Sequence, residues 1–249
     1  MTSAFGLVRS INTKAHRAGI AGSVAQFENL ATHAQYRVPY DVAMRYVVAG
    51  SAVLDWGCGN GHFSMLLREL GARVTGYSFE PVPRVMSGDD GFTFVAGGES
   101  DPRTIPFPAA SFDCVCSVGV LEHVWETGGD EPSSLAEIAR VMRPGAVFLT
   151  FHLPNRLGWV EPAFRAVGLL EYYHRRRYDR RSITQLYEGA GLQVVEMGTY
   201  NFFPRNQLTR LPRIIRGSAL FARLYSAVDE LFSFVLGRFA TNYYVVARK

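Results

Sequence analysis

Val53-Leu54-Asp55-Trp56-Gly57-Cys58-Gly59-Asn60-Gly61-His62 takes a short apolar strand into a glycine-rich turn and out again into a helix. Glycines permit positive φ and let a ligand lie directly against the backbone. The N–H groups at the start of the helix favour a polar or anionic ligand group. In a doubly wound sheet this first strand-to-helix turn faces the crevice where ligands bind. The spacing is GxGxG behind an acid that closes the strand. Dinucleotide-binding loops follow GxGxxG, and His62 stands where their third glycine belongs, which argues against a nicotinamide or flavin pyrophosphate.

Outward from this turn the chain alternates between strand and helix patterns. Ala52 to Asp55 is a buried strand, and His62 to Leu70 is an amphipathic helix with Gly71 as its C-cap. Strands are expected at Arg73–Tyr77, Phe92–Ala96, Phe112–Val120, Val147–Phe151, Leu192–Met197 and Asn242–Ala247. Helices are expected at Val38–Val48, Pro81–Met86, Glu131–Met142 and Ser182–Ala190, the last opened by a Ser182–Gln185 capping box. Strands separated by helices imply a largely parallel sheet covered on both faces. The order divides into N-terminal helices over 1–50, an α/β core over 51–200, a helical insertion over 201–240 and a last core strand over 241–249.

Three further segments follow the glycine turn in order. They are Asp101-Pro102-Arg103-Thr104-Ile105-Pro106-Phe107-Pro108 with Ser111-Phe112-Asp113, then Val120-Leu121-Glu122-His123-Val124, then Leu135 through Arg143-Pro144-Gly145. Together these motifs, spread over residues 53–151, resemble the class I S-adenosylmethionine-dependent methyltransferases, and within them the small-molecule branch. The resemblance implies a Rossmann-like, doubly wound α/β fold: seven strands, mostly parallel, with a helical insertion before the last. The implied cofactor is S-adenosyl-L-methionine. Gly57, Cys58, Gly59 and Gly61 would border its methionine part, and Asp55 would help position the amino group. Asp101, followed by Pro102, matches the acid that accepts from the adenine amine; a carboxylate suits that donor because it only accepts. The family has an acid for the ribose hydroxyls where Ser78 stands here, so either Ser78 makes a single contact or Glu80 reaches back, and Glu80 is the preferred carboxylate.

If the acceptor is a hydroxyl, a base within hydrogen-bond reach accelerates transfer, and histidine suits neutral pH. His123 and His152 follow the two strands whose C-terminal ends border the crevice, and either is a candidate base against an ordinary structural role. Some relatives acting on quinone precursors hold a divalent metal beside the Glu-His pair, but Gly119 occupies the place of a further acid, so no metal is expected. Substrate contacts are expected from Trp159, Tyr173, His174 and Arg176. The run His174–Arg177 reads either as an anion grip or as a solvated basic loop.

The chain has 249 residues, 48% hydrophobic and 19% charged, which suits a folded α/β enzyme rather than a disordered chain. Cys58, Cys114 and Cys116 read as reduced core thiols, the last pair sharing one strand face. Residues 218–237 approach membrane-span hydrophobicity but are broken by Arg223, Asp229 and Glu230, and Arg9, Lys14 and Arg17 interrupt any signal-like apolar run, so a cytoplasmic enzyme is expected. Leu224, Val228, Leu231 and Val235 recur at helical spacing; the helices of this insertion are expected to cover the active-site mouth and pack on the core, with the N-terminal residues 1–50 as a lid. The alternative is a basic amphipathic surface making peripheral contact with an anionic membrane. The expected partner is a small-molecule or lipid-linked methyl acceptor of quinone, sugar or natural-product type. Two other readings remain, a catalytically silent cofactor-binding scaffold and a nucleic-acid methyltransferase. Gly119-Val120-Leu121-Glu122 lacks the Asn/Asp-Pro-Pro-Tyr pattern of base-methylating enzymes, which disfavours nucleic acid.

Overall fold

Val53 and Leu54 are fully buried on opposite faces of one strand, so the chain must cover both sides of the sheet that contains them. The computed structural model describes residues 3–98, 102–169 and 173–249. From the N-terminus come α1 (Ala4–Arg17), α2 (Leu30–His33), α3 (Arg37–Tyr46), β1 (Ala52–Trp56), α4 (His62–Glu69), β2 (Arg73–Ser78), β3 (Phe92–Ala96), β4 (Phe112–Val118) and α5 (Glu131–Val141). They are followed by β5 (Met142–Pro154), α6 (Val160–Ala166), α7 (Arg180–Gly189), β6 (Gln193–Tyr200), α8 (Arg213–Arg216), α9 (Ala219–Val235) and β7 (Asn242–Arg248).

The sheet has the order β3-β2-β1-β4-β5-β7-β6, and the pairs β1–β2, β1–β4, β2–β3 and β4–β5 are parallel. At the end of β7, Lys249 exchanges backbone hydrogen bonds with Gly145 and Ala146 at the start of β5, so β7 runs antiparallel to it. This is the seven-stranded, mostly parallel α/β sheet expected from the sequence. Asp55 is paired with Gly76 on one side and Cys116 on the other, which makes β1 a central strand with its C-terminal end at the strand-order reversal. Cys114 and Cys116 are buried on one face with their Sγ atoms 3.8 Å apart.

Several boundaries differ from the sequence reading. The strand expected over Phe112–Val120 ends at Val118, because Gly119 takes φ +68° and turns the chain. Pro81–Met86 holds only a single 3₁₀ turn, Arg84–Met86. The capping box of α7 is formed by Asp179 and Ser182, not by Ser182 and Gln185: Asp179 Oδ1 accepts from Ser182 N–H at 2.8 Å and Ser182 Oγ accepts from Asp179 N–H at 2.9 Å. An aspartate before the first helical residue captures the unpaired N–H groups better than a serine inside the helix.

The chain groups into two compact units. The second comprises residues 46–156, 174–198 and 243–249 and contains the sheet's parallel strands. Its core joins Leu54, Val115 and Phe148 of the sheet to Leu135 and Ile138 of α5 and to Tyr187 of α7, whose ring stacks on Phe148 at 5.8 Å. The first unit comprises residues 1–45, 157–173 and 199–242, so residues 157–173, read as core, group with the N-terminal helices and the insertion. In it α1 buries Val8, Ile11 and Ala15, while Phe27, His33 and Tyr40 form a buried aromatic cluster. His33 Nε2 lies 2.7 Å from Tyr40 Oη, and burial pushes the imidazole down to about 3.

The stripe expected to pack inward does the opposite. Leu224, Val228, Leu231 and Val235 are exposed, and α9 buries Ala222, Ser226 and Asp229 instead. The cause is Arg205, which is buried in the same unit. Its Nη2 lies 3.3 Å from Asp229 Oδ2, its Nη1 reaches Ser226 Oγ at 3.3 Å, and its guanidinium sits over the Tyr225 ring. A buried cation must be paired and hydrogen-bonded, so the polar stripe of α9 turns inward to meet it.

Candidate active site

The glycine turn forms one wall of a cavity of about 300 Å³ in the second unit, at the C-terminal ends of β1, β2 and β4. Gly57, Gly59 and Gly61 take φ +75°, +45° and +80°. At Gly57 a Cβ would clash with both Val120 methyls, and at Gly61 it would come within 2.8 Å of Pro83 Cβ. At Gly59 the nearest atom is Glu80 Oε2 at 3.7 Å, an ordinary contact, so glycine is needed there for its backbone conformation. The N–H groups of Gly57 and Cys58 both donate to Tyr77 O, at 2.8 and 3.1 Å, and fasten the turn to β2. Gly59 lines the cavity, and its N–H makes no backbone hydrogen bond among the described residues.

Gly57, Gly59, Ser78, Glu80, Pro102 and His123 all line this one cavity. Asp55, Cys58 and Gly61 lie behind it. Asp55 is buried, with Ser64 Oγ donating to its Oδ2 at 2.5 Å, and burial pushes its carboxyl up to about 6 against the pull of that hydrogen bond. Burial, then the neighbouring Asp55, pushes the Cys58 thiol up, which keeps it protonated and inert. Ser78 Oγ accepts from Glu80 N–H at 3.1 Å, so the serine shapes the turn while the exposed glutamate carboxylate stands beside Gly59. Asp101 lies outside the described residues.

The opposite wall is held by two residues that the sequence reading quoted without assigning a role. Arg140 Nη1 and Nη2 donate to the carbonyls of Phe107 and Ile105 at 2.8 Å, and Glu137 Oε2 accepts from Ile105 N–H at 2.9 Å. The two side chains also pair with each other on α5. They fix the segment whose Pro102, Thr104 and Ile105 line the cavity. The available signal was their i, i+3 spacing of opposite charge behind an apolar helix face.

The two histidines separate. His123 lines the cavity, with Nδ1 2.9 Å from Glu126 Oε1. His152 is not among the lining residues. It takes φ +63°, and burial followed by the nearby His174 lowers its imidazole to about 4, which leaves it a weak base. The candidate substrate residues separate as well. Trp159 and Tyr173 belong to the first unit, where Trp159 Nε1 donates to Phe202 O at 2.9 Å and Arg165 sits over the Tyr173 ring. In the second unit each member of the basic run has its own neighbour. The His174 ring is 5.5 Å from that of His123, Arg175 sits over Trp125, Arg176 pairs with Glu131 at 3.3 Å, and Arg177 donates to Asn155 O. Arg175 and Arg176 remain exposed while making these contacts. Ligating atoms of Glu122, His123 and His174 come within 4.8 Å of one another, a donor set compatible with a divalent ion in which His174, distant in sequence, supplies a third group.

Residues 31–197 match the family model described as "Methyltransferase domain". The chain is 31% identical over 182 residues to a probable S-adenosylmethionine-dependent methyltransferase of Mycolicibacterium smegmatis, covering 73% of this chain and 66% of the relative. It is 36% identical over 102 residues to the malonyl-[acyl-carrier protein] O-methyltransferase of Serratia marcescens, covering 40% and 37%. These matches span less than two thirds of the length of either relative. The fold matches a crystal structure of an S-adenosylmethionine-dependent methyltransferase from Archaeoglobus fulgidus with a TM-score of 0.58 at 19% identity, over 88% of this chain and 94% of that one. A bare glycine wall with a carboxylate beside it fits an amino-acid nucleoside, and with these matches it places the chain in the class I S-adenosylmethionine-dependent methyltransferase family.

Proposed function

We propose that this chain transfers a methyl group to an oxygen of a small or lipid-linked acceptor, with His123 as the general base. The observation that carries the reading is that His123 shares one cavity with the glycine wall, Ser78, Glu80 and Pro102. S-adenosylmethionine held there would supply a methyl group already activated by a sulfonium.

The residues present the means to hold and use it. Gly59 N–H is a donor for a carboxylate, and Glu80 offers two acceptor oxygens for vicinal hydroxyls, which Ser78 cannot do while its oxygen serves the Glu80 amide. In the neutral His123 ring, a proton on Nδ1 is directed at Glu126, which leaves the lone pair on Nε2. With the cofactor bound, Nε2 would be placed to take the acceptor's hydroxyl proton, while the sulfonium would supply the methyl carbon and retain the electrons of its carbon–sulfur bond. Apolar Trp56, Ile105, Val120 and Val124 in the cavity wall limit water around this exchange. The O-methyltransferase name of one relative favours oxygen over nitrogen or carbon as the atom methylated.

Two measurements test the reading. Calorimetric titration should give tight binding of S-adenosylhomocysteine and none of NADH. A screen of hydroxylated and carboxylated acceptors with methyl-labelled cofactor should then give product. On the acceptor found, His123→Gln should lower kcat by roughly 10²–10⁴-fold with S-adenosylhomocysteine affinity unchanged. Activity retained in that variant removes the base, and NADH binding removes the cofactor reading.

A further inference from the structure

The first unit exposes a surface that the cavity chemistry does not use. On α9 the residues Leu220, Leu224, Val228, Leu231 and Val235 recur every three or four positions and are all exposed, and Phe234 is 89% exposed. Just before the helix, Ile214 is 86% exposed. Soluble helices bury such a stripe, and a contiguous exposed one marks an interaction surface. Neither acid of α9 dilutes it: Asp229 is buried against Arg205, and Glu230 is paired with Arg37. The outward face of the helix is therefore apolar and carries no uncompensated carboxylate.

Beside it lies a cavity of about 700 Å³ lined by Arg9, Arg17, Arg213, Arg216 and Asn29, together with Ala219, the first residue of α9. Arg216 is engaged by Glu28, but Arg9, Arg17 and Arg213 form no ion pair among the described residues. Asn29 is 5% exposed; its Oδ1 caps α2 by accepting from Thr32 N–H, and its Nδ2 has no acceptor among the described residues. A buried donor without an acceptor is costly and points to a ligand oxygen. The residues of this unit include twelve Lys and Arg against six Asp and Glu, a net +6, while the second unit has fourteen against sixteen, a net −2. The basicity of the chain is thus concentrated in the unit that bears the apolar stripe.

We propose that this unit docks on an anionic phospholipid surface, with the α9 stripe lying among the acyl chains and a headgroup phosphate in the arginine-lined cavity. Charge decides between this occupant and a second copy of the chain, since a copy would set +6 against +6 and an anionic bilayer is complementary. No helix among the described residues is long and apolar enough to cross a membrane. A 17-residue helix with a one-sided stripe instead lies in the interface plane. The proposal does not depend on which acceptor is methylated.

The experiment is flotation of the full chain with vesicles of phosphatidylcholine alone and of phosphatidylcholine mixed with phosphatidylglycerol. Binding to the anionic vesicles should be at least roughly tenfold stronger and should weaken several-fold as salt rises to about 0.5 M. Leu224→Glu with Leu231→Glu, and separately Arg17→Glu with Arg213→Glu, should each cut vesicle binding at least about tenfold. S-adenosylhomocysteine affinity, read in the other unit, should stay unchanged and so report retained folding. Equal binding to both vesicle types, or none, overturns the proposal. A dimer in sedimentation that Leu224→Glu abolishes, without vesicle binding, overturns it in favour of a second copy.

Discussion

Asp55 and Asp229 are both buried carboxylates that burial pushes upward, yet they are solved differently. Asp229 has a guanidinium at 3.3 Å and the Phe203 N–H at 2.7 Å, and the pair turns a whole helix so that its apolar side faces out. Asp55 has no cation beside it among the described residues; the Ser64 hydroxyl and backbone N–H donate to it, and it sits directly behind the glycine wall. The first arrangement spends charge on structure. The second leaves a buried carboxyl raised to about 6 with no ion-pair partner among the described residues, held by hydrogen bonds alone.

The strongest way to break this comparison is to remove the guanidinium. Arg205→Met leaves Asp229 buried and unpaired and should cost roughly 3–5 kcal/mol in denaturant unfolding. The double variant Arg205→Met with Asp229→Leu should recover most of that loss. Little loss in the single variant would mean that the pair does not hold α9.

The glycine wall comes next. Gly57→Ala meets the Val120 methyls at φ +75° and should weaken S-adenosylhomocysteine binding at least about 100-fold, near 3 kcal/mol, by calorimetry. Gly59→Ala meets no close neighbour and should lose only the strain of its left-handed backbone, about 1–2 kcal/mol. Equal losses at both positions would show that conformation alone, and not the close approach of Val120, governs the turn.

Asp55 sharpens the comparison through pH. Its carboxyl is raised from 3.8 to about 6 in the folded protein, so its stabilising contribution is complete below pH 3.8 and is lost as pH rises through about 6. Between those limits the protein should lose on the order of 2–3 kcal/mol that Asp55→Asn does not lose, measured by unfolding at each pH. Parallel curves would mean that the carboxyl is not held up. The smallest effect expected is at the exposed edge of the site. Glu80→Gln should weaken S-adenosylhomocysteine binding about tenfold, or 1.4 kcal/mol, and Ser78→Ala less, because the serine oxygen serves the turn.

Much of the second unit was legible because its signals are local. Glycines that need positive φ, an acid at a strand end, and alternating strand and helix periods lie within a few residues of one another, and backbone geometry is the same wherever they occur. Gly57 and Gly59 were named from such signals, and Ser78, Glu80, Pro102 and His123 from their place in the motifs that carry the family resemblance; all six line one cavity. His152 was placed by the same strand-end rule, but the rule carries no information on how deeply a side chain sinks.

What the sequence alone determined is the sheet's strand content and the glycine turn, which rest on short-range sterics and hydrogen bonding, and the family, which rests on the order and spacing of motifs over residues 53–151. Only the tertiary structure decided that His174 comes beside His123, that Arg140 and Glu137 clamp the wall, and that α9 faces outward. Those outcomes depend on groups far apart in sequence: Arg205 and Asp229 lie 24 positions apart, and His123 and His174 51. A period of 3.6 residues shows that α9 has an apolar face. It cannot show which face the rest of the molecule needs, and here a buried charge required the other one.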